Sequence, residues 1–262
     1  MIAVSRENLF LRRLAFNDAG ENVYYVNHSS VTDPSSNLGT SVDTGTPSLP
    51  WTPDVLSNGR MTMFIAGNPG AGKSYFAKEM INLFPPERDV LLFTALDESD
   101  GNFKDLDRLY KIKMTPENLK RLTLTNIRAM SRVPILLFDD IDKIRDKEIK
   151  QLTYALMEDA LANGRGHKEH NGEGDIHVLI TSHALNDYQR TKYAIENTDY
   201  VVLFPQSTTQ LQFCRLASDK IGIDKRKCKE LMEKGKRGEC RSIVIRKTAP
   251  MYIISGSLFE LI

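Results

Sequence analysis

Residues Met61 to Phe84 read MTMFIAGNPGAGKSYFAKEMINLF, and this stretch decides the fold. Its centre, Gly67-Asn68-Pro69-Gly70-Ala71-Gly72-Lys73-Ser74, matches G-x-x-x-x-G-K-[ST], a pattern with meaning only between a strand and a helix. Both flanks are present. Met61 to Ala66 is an apolar run of strand length, and Phe76, Met80, Leu83 and Phe84 recur at helical spacing. A Gly-rich surface turn would account for the glycines but not for the flanks. The residue types suit a polyphosphate. Glycines let backbone N–H groups turn inward with no Cβ in the way, and the following helix adds its positive end. Gly67, Asn68, Pro69, Gly70, Ala71, Gly72, Lys73, Ser74 and Tyr75 are therefore the candidate cradle for ATP. Lys73 is the residue to reach the outer phosphates, and the Ser74 hydroxyl is a candidate Mg²⁺ ligand.

Val133 to Asp142, VPILLFDDID, is the second decisive stretch. Ile135 to Phe138 has the character of a buried strand, and Asp139 and Asp140 stand at its end. Two adjacent acids after four large apolar residues are costly to bury unless a cation meets them. In a phosphate-loop protein that cation is Mg²⁺, with Asp139 the metal-side acid acting with Ser74. Asp140 is then the group that polarises the attacking water. An Asp pair capping the next helix is the plain alternative. The reading requires the cradle and the two carboxylates to converge from neighbouring strands.

The remaining chain alternates strands and helices. Asp89 to Thr94, His177 to Thr181 and Tyr200 to Phe204 are short apolar runs bounded by turn residues. Asp89 to Thr94 is read as a strand added between the loop and the paired acids. Polar helices are expected over most of 103–132, one beginning near Asp105 and one at Thr115-Pro116, with Thr115 as N-cap. Ile149, Leu152, Leu156 and Ala160 mark an amphipathic helix closed by Asn163-Gly164, before a Gly-rich loop to Asp175 that holds His167 and His170. His183 follows the strand ending in Thr181, where a polar residue would sit beside the phosphate-loop strand and face the outermost phosphate; a histidine bonded only to backbone is the bland alternative. Helices are expected over 207–218 and 224–235, then a closing hairpin of Arg241 to Arg246 and Met251 to Ile254.

With 41% apolar and 26% charged residues in 262, the chain has a globular composition. No apolar run approaches membrane-spanning length, and the N-terminus lacks the layout of a signal peptide. A net charge of +1 shows no global pull on nucleic acid, although Lys220 to Lys247 holds eleven Lys/Arg against four Asp/Glu. Cys214, Cys228 and Cys240 are too few and too far apart for a zinc framework and suit reduced thiols. Residues 29–50 are different: eighteen of these 22 are Ser, Thr, Pro, Gly, Asn or Asp, which predicts a flexible arm. The expected organisation is an N-terminal extension over 1–54 and an ATPase domain over 55–262.

Beyond the single motifs, the segment order resembles a RecA-like (ASCE) P-loop NTPase, an α/β fold with a doubly wound, mostly parallel sheet and a C-terminal β-hairpin. More narrowly it resembles the viral genome-packaging ATPases of the FtsK–HerA superfamily, the poxvirus, giant-virus, virophage and polinton-like group. GNPGAGKS and ILLFDDID are shared by many ATPases. The succession NGRGH, VLITSH, TKYAIENTDYVVLFP and RSIVIRKTAPMYII is what points to this group, and the match covers about residues 60–262. The resemblance implies a homo-oligomeric ring, pentamer or hexamer, that moves double-stranded DNA into a capsid. ATP and Mg²⁺ are its cofactors, capsid or portal-vertex proteins its partners, and the virion or a cytoplasmic assembly site its location. It maps the sensing position, often Gln in the wider superfamily, to His183, and an arginine that completes the adjacent subunit's site to Arg165, with Arg190 and Arg215 as alternatives. Other classes predict other features. An AAA+ or helicase-loader ATPase would carry an all-helical C-terminal lid, a small-molecule kinase an acceptor pocket, and a nucleotide-dependent switch or scaffold no turnover.

Overall fold

The computed structural model describes residues 2–5, 12–25, 41–43, 51–54, 59–95, 103–130, 134–166, 175–183 and 188–262. Before residue 59 lie β1 (Ile2–Ser5), β2 (Arg12–Phe16), β3 (Asn22–Tyr25), β4 (Ser41–Asp43) and β5 (Thr52–Pro53). The middle of the chain forms β6 (Thr62–Ala66), α1 (Lys73–Asn82), β7 (Val90–Thr94), β8 (Leu109–Lys111), α2 (Pro116–Arg121) and α3 (Leu124–Met130). It continues through β9 (Ile135–Asp139), α4 (Lys147–Asn163), β10 (His177–Ser182) and α5 (Tyr188–Asn197). The last third supplies β11 (Tyr200–Leu203), α6 (Gln210–Cys214), α7 (Lys225–Lys236), β12 (Ile243–Arg246), β13 (Tyr252–Ser255) and β14 (Leu258–Leu261). These elements fall into two compact units, Gly59–Asp199 and the joined segments Met1–Asn58 and Tyr200–Ile262.

In the Gly59–Asp199 unit five strands run parallel in the order β6-β10-β9-β7-β8. Every residue of β6 and β9 is buried, consecutive positions alike, so both faces of these strands are covered. Such a strand reads as an unbroken apolar run rather than an alternation, which is why MTMFIA and ILLF were legible. The spatial order corrects the expectation that the loop strand and the acid strand are neighbours. β10 lies between them, paired to β6 on one side and to β9 on the other. Asp89 to Thr94 is not the intervening strand: β7 lies beyond β9. The register sets Ala66 against Ser182 and Asp139 against Thr181, so the C-terminal ends of β6, β10 and β9 finish level. In doubly wound sheets ligands bind beyond these ends, where the strand order reverses.

Arginines finish the opposite edge. Arg108 donates to the carbonyls of Ile81 (2.5 Å), Phe84 (3.3 Å) and Pro85, meeting the oxygens left where α1 stops. Arg60 does the same for α4, donating to Leu161 O at 3.1 Å and to Ala160 O, and to Ile176 O at 2.8 Å. Burial is the main cause that brings the Arg60 guanidinium down to about 10, with Asp199 opposing. Gly164 closes α4 as expected but not through a left-handed turn, since its φ is −74°. A Cβ there would overlap the Ala160 carbonyl and the Arg60 guanidinium, so the glycine admits the arginine.

Residues 103–132 are less helical than expected. Thr115 caps α2 through the Asn118 N–H at 3.3 Å, but no helix starts near Asp105. Phe103 and Leu106 pack inward from a turn, and Leu109–Lys111 adds β8 to the sheet edge. An edge strand of three residues with two exposed side chains has no alternation to announce it.

In the other unit β1-β3-β2-β5 form an antiparallel sheet, and β11-β12-β13-β14-β4 form an antiparallel run. The hairpin β12–β13 is where the sequence puts it; β14 extends it by one strand. Residues 1–54 are not separate from the C-terminal residues. Trp51 N–H donates to Gly256 O at 3.0 Å, Tyr252 hydroxyl to Leu14 O at 3.2 Å, and Ser41–Asp43, inside the expected arm, pairs with Leu258–Glu260. Paired main-chain groups on an edge strand fix β4 without an apolar side-chain signal. The rest of 29–50 lies outside the described residues. α6 opens on a Thr209–Gln212 capping box, and its last turns widen over Arg215–Lys220.

Gly235 sits within α7, where Gly→Ala ordinarily stabilises by about 0.5–1 kcal/mol. Here a Cβ would overlap the ring carbons of Pro205. Gly235→Ala is expected to destabilise instead, by about 1–3 kcal/mol, read as a lowered urea midpoint at unchanged slope.

Candidate nucleotide site

The loop after β6 is built by its own backbone. Gly67 N–H donates to Ser182 O at 3.2 Å, which ties the loop's first residue to the end of β10. Ala71 N–H donates to Asn68 O at 3.1 Å and closes the turn. Gly70 and Gly72 have φ of 78° and 103°, left-handed values that a side chain would strain. Gly72 caps α1 and offers no side-chain acceptor, and a helix amino end of this kind suits an anion. Lys73 is buried at 5% exposure although it carries an ammonium. Its Nζ donates to Asn68 O at 3.4 Å and lies 2.9 Å from His183 Nδ1. Burial pulls this lysine below the ordinary range, against the pull of Asp140 and Asp139.

The acids come from β9, and β10 holds them. Thr181, level with Asp139 in the register, donates its hydroxyl to Asp139 Oδ1 at 2.7 Å and accepts Asp140 N–H at 3.2 Å. Asp140 has φ 49°, among the described residues the one positive φ outside glycine, and this turn brings its carboxylate back over the strand end. Its Oδ2 receives Lys143 Nζ at 3.2 Å and meets His183 Nε2 at 2.5 Å. A neutral imidazole has one donor and one acceptor nitrogen, so Nε2–H to Asp140 leaves Nδ1 to accept from Lys73. Lys73, His183 and Asp140 thus form one chain of polar contacts. Burial lowers the His183 pKa, Asp140 opposes, and the two lysines reinforce the lowering. The histidine bonded to backbone is His177, at the other end of β10. Its Nδ1 accepts Met61 N–H at 2.9 Å, and burial brings it down to about 3.

Burial also pushes Asp139 up from 3.8 to about 6, with the Thr181 hydrogen bond opposing and Asp140 adding. Asp142 is raised by burial and then by Asp140. Buried Oδ1 atoms of Asp140 and Asp142 have no hydrogen-bond partner. Unmet carboxylate oxygens beside a phosphate cradle fit a hard divalent cation and its waters. Among the described residues no group of three or more His, Cys, Asp or Glu could hold a metal alone. A cation here would share its coordination with ligand phosphates, as Mg²⁺ does.

The structure therefore brings together Lys73, His183, Asp140 and, through Thr181, Asp139. Ser74 is partly exposed on the first turn of α1, and Tyr75 is 60% exposed. Arg165 is elsewhere. It follows α4, where Gly164 O accepts Ile176 N–H at 2.8 Å, so it stands at the start of β10 while the cradle stands at its end. Its side chain is exposed, and its carbonyl accepts from Arg128 at 3.1 Å. Arg215 is exposed in the other unit; the Arg190 side chain and residues 167–174, with His167 and His170, lie outside the described residues. Sequence reasoning missed Thr181, Lys143 and Asp142 as site residues. Thr181 had one signal, a hydroxyl ending a buried strand two residues before His183.

The strand order and the loop define a phosphate-loop α/β protein with one strand between the loop strand and the acid strand. No protein-family model matches the chain. It is 27% identical over 213 residues to uncharacterized protein V3 of Sputnik virophage, covering 74% of each chain. It is also similar to the solved genome packaging NTPase B204 of Sulfolobus turreted icosahedral virus 2, in complex with AMPPCP. That match has 14% identity and a TM-score of 0.47, over 76% of this chain and 98% of the other.

A carboxyl raised in the folded state holds its proton more tightly there than when unfolded. Its contribution is therefore lost as pH rises from about 4 through about 6, and the ionised buried form is destabilising above that. In metal-free protein Asp139→Asn is expected to gain stability over wild type as pH rises from 5 to 8, on the order of 1 kcal/mol. Urea unfolding of both chains at the two pH values checks it; an unchanged difference would refute the burial argument.

Proposed function

We propose that this chain is an ATPase that acts as a homo-oligomeric ring and drives double-stranded viral DNA into a preformed capsid. The observation that carries the hydrolytic part is the continuous Lys73–His183–Asp140 contact at the mouth of a glycine cradle, with Asp139 fixed alongside by Thr181. ATP would seat its phosphates on Gly67 to Ser74, and Lys73 would leave His183 for the outermost phosphate. A carboxylate in contact with a neutral imidazole is suited to hold the attacking water in line and accept its proton, so Asp140 is the base and His183 its positioning partner. Bound Mg²⁺, held from Ser74 and Asp139, would neutralise charge on the phosphates. Lys73 and the amino end of α1 would meet the charge that grows in the transition state.

The translocation part rests on the sequence succession after Asp140, and the virophage relative supports a viral setting. A trans-acting Arg165 suits a ring: an arginine at the far edge of its own sheet is useless to its own nucleotide but available to an adjacent subunit. The helicase-loader reading expects an all-helical C-terminal lid, whereas the described residues after Ser242 are three antiparallel strands. Among the described residues no helix is long and apolar enough to cross a membrane. A capsid or portal-vertex protein is the expected partner at a cytoplasmic assembly site or in the virion.

Double-stranded DNA should raise the ATPase rate, and a kinase would be indifferent to it. Lys73→Ala should remove nucleotide binding or turnover. Asp140→Asn should keep binding while lowering kcat by about 10²–10⁴. A full rate in Asp140→Asn would sink the assignment of the base. Arg165→Ala should keep nucleotide affinity but lose about 10³–10⁵ in rate, restored in rings mixed with Lys73→Ala subunits. An inactive mixed ring would exclude Arg165.

A further inference from the structure

Arg246 ends β12 with 4% of its surface exposed, yet its Nε and Nη1 have no hydrogen-bond partner. It stands in register between Tyr200 on β11 and Tyr252 on β13. Its guanidinium carbon is 6.0 and 5.7 Å from the two ring centroids. The rings offer their negative faces to the charge, but a guanidinium donates in its own plane, and those donors remain unmet. Buried charges are ordinarily paired, so this one is anomalous.

A second cation adjoins it. Arg12 on β2 is exposed, and its guanidinium is lowered first by burial of part of the side chain and then by the charge of Arg246; Tyr200 and Tyr252 act on it as well. β2 also receives the Tyr252 hydroxyl, at Leu14 O, which draws this strand to the tyrosine pair. Asp54, whose carboxylate lies near enough to act on Tyr252, accepts from Arg13 Nε at 2.5 Å. The two guanidiniums are thus near enough for their charges to act on each other, Arg246 buried and Arg12 exposed.

We propose that Arg246 and Arg12, walled by Tyr200 and Tyr252, form a binding site for a phosphate dianion. Two guanidiniums match a doubly charged tetrahedral oxyanion, which accepts paired in-plane hydrogen bonds better than a single carboxylate does. The burial of Arg246 restricts the ligand to a small or terminal group: free orthophosphate, or the terminal phosphomonoester of a nucleic-acid strand. A phosphodiester inside a strand is too bulky to reach Arg246.

The test is binding of orthophosphate to the full chain, by calorimetric titration and by the shift in unfolding temperature, against sodium chloride at equal ionic strength. Phosphate can also enter the glycine cradle, so wild type, Lys73→Ala, Arg12→Gln and Arg246→Met are compared. The expected result is phosphate stabilisation kept in Lys73→Ala, weakened about tenfold or more in Arg12→Gln, and lost in Arg246→Met. If Arg246→Met does not fold, the exposed Arg12→Gln decides. A second arm compares a 5′-phosphorylated short oligonucleotide with its 5′-hydroxyl form in the Lys73→Ala chain. Tighter binding than orthophosphate assigns the site to strand ends, and weaker binding assigns it to the free ion. Stabilisation no greater than chloride gives in Lys73→Ala, together with no preference for the 5′-phosphate, overturns the proposal. So does unchanged affinity in Arg12→Gln.

Discussion

A lysine ammonium and an aspartate are both withdrawn from water at one strand edge, and the neutral imidazole of His183 joins them. This contact organises the nucleotide edge. Without an intermediary the two charges could pair directly, and a lysine tightly paired to a carboxylate is slow to release to another anion. Through His183 each charge keeps a polar partner while Lys73 remains exchangeable. The same bridge places the Lys73 ammonium and the Asp140 carboxylate on opposite nitrogens of one ring. If Lys73 moved away, Nδ1 would lose its donor, and the Asp140 carboxylate is one ring removed from that change.

Sheet order makes that contact possible. β10 separates the loop strand from the acid strand and contributes the side chains that act on both. Thr181 holds Asp139 and the Asp140 backbone, Ser182 anchors Gly67, and His183 spans Lys73 and Asp140. Three consecutive residues of one strand end thus connect the phosphate cradle to the paired acids. At the other end of the sheet Arg60 and Arg108 spend their guanidinium donors on helix carbonyls, which stabilises the helix ends but leaves little for a ligand. Arg165, exposed beside them, is not committed in this way.

The second unit obeys different physics. Its antiparallel strands are held by ladders between segments distant in the chain, so β4 and β14 exist because they find each other. It also retains a cost that the first unit avoids. Arg246 is buried between tyrosine faces with unmet donors, whereas Lys73 and Asp140 are buried with partners. A phosphate dianion would bring the second unit to the same condition.

Local chemistry alone determined the glycine cradle, the four largely buried parallel strands β6, β7, β9 and β10, the paired acids and the cap at Thr115. Each depends on residues adjacent in the chain or at a fixed spacing, and each pattern is strong over five residues or more. Only the tertiary structure decided that the strand beside the loop strand also pairs the acid strand, that His183 touches both Lys73 and Asp140, and that Arg165 sits at the opposite end of the sheet. Lys73 and His183 are 110 positions apart, and no periodicity relates them. Short edge strands, bridging hydroxyls and unpaired guanidiniums owe their existence to what folds against them, and that information is distributed over the whole chain rather than written in any one stretch.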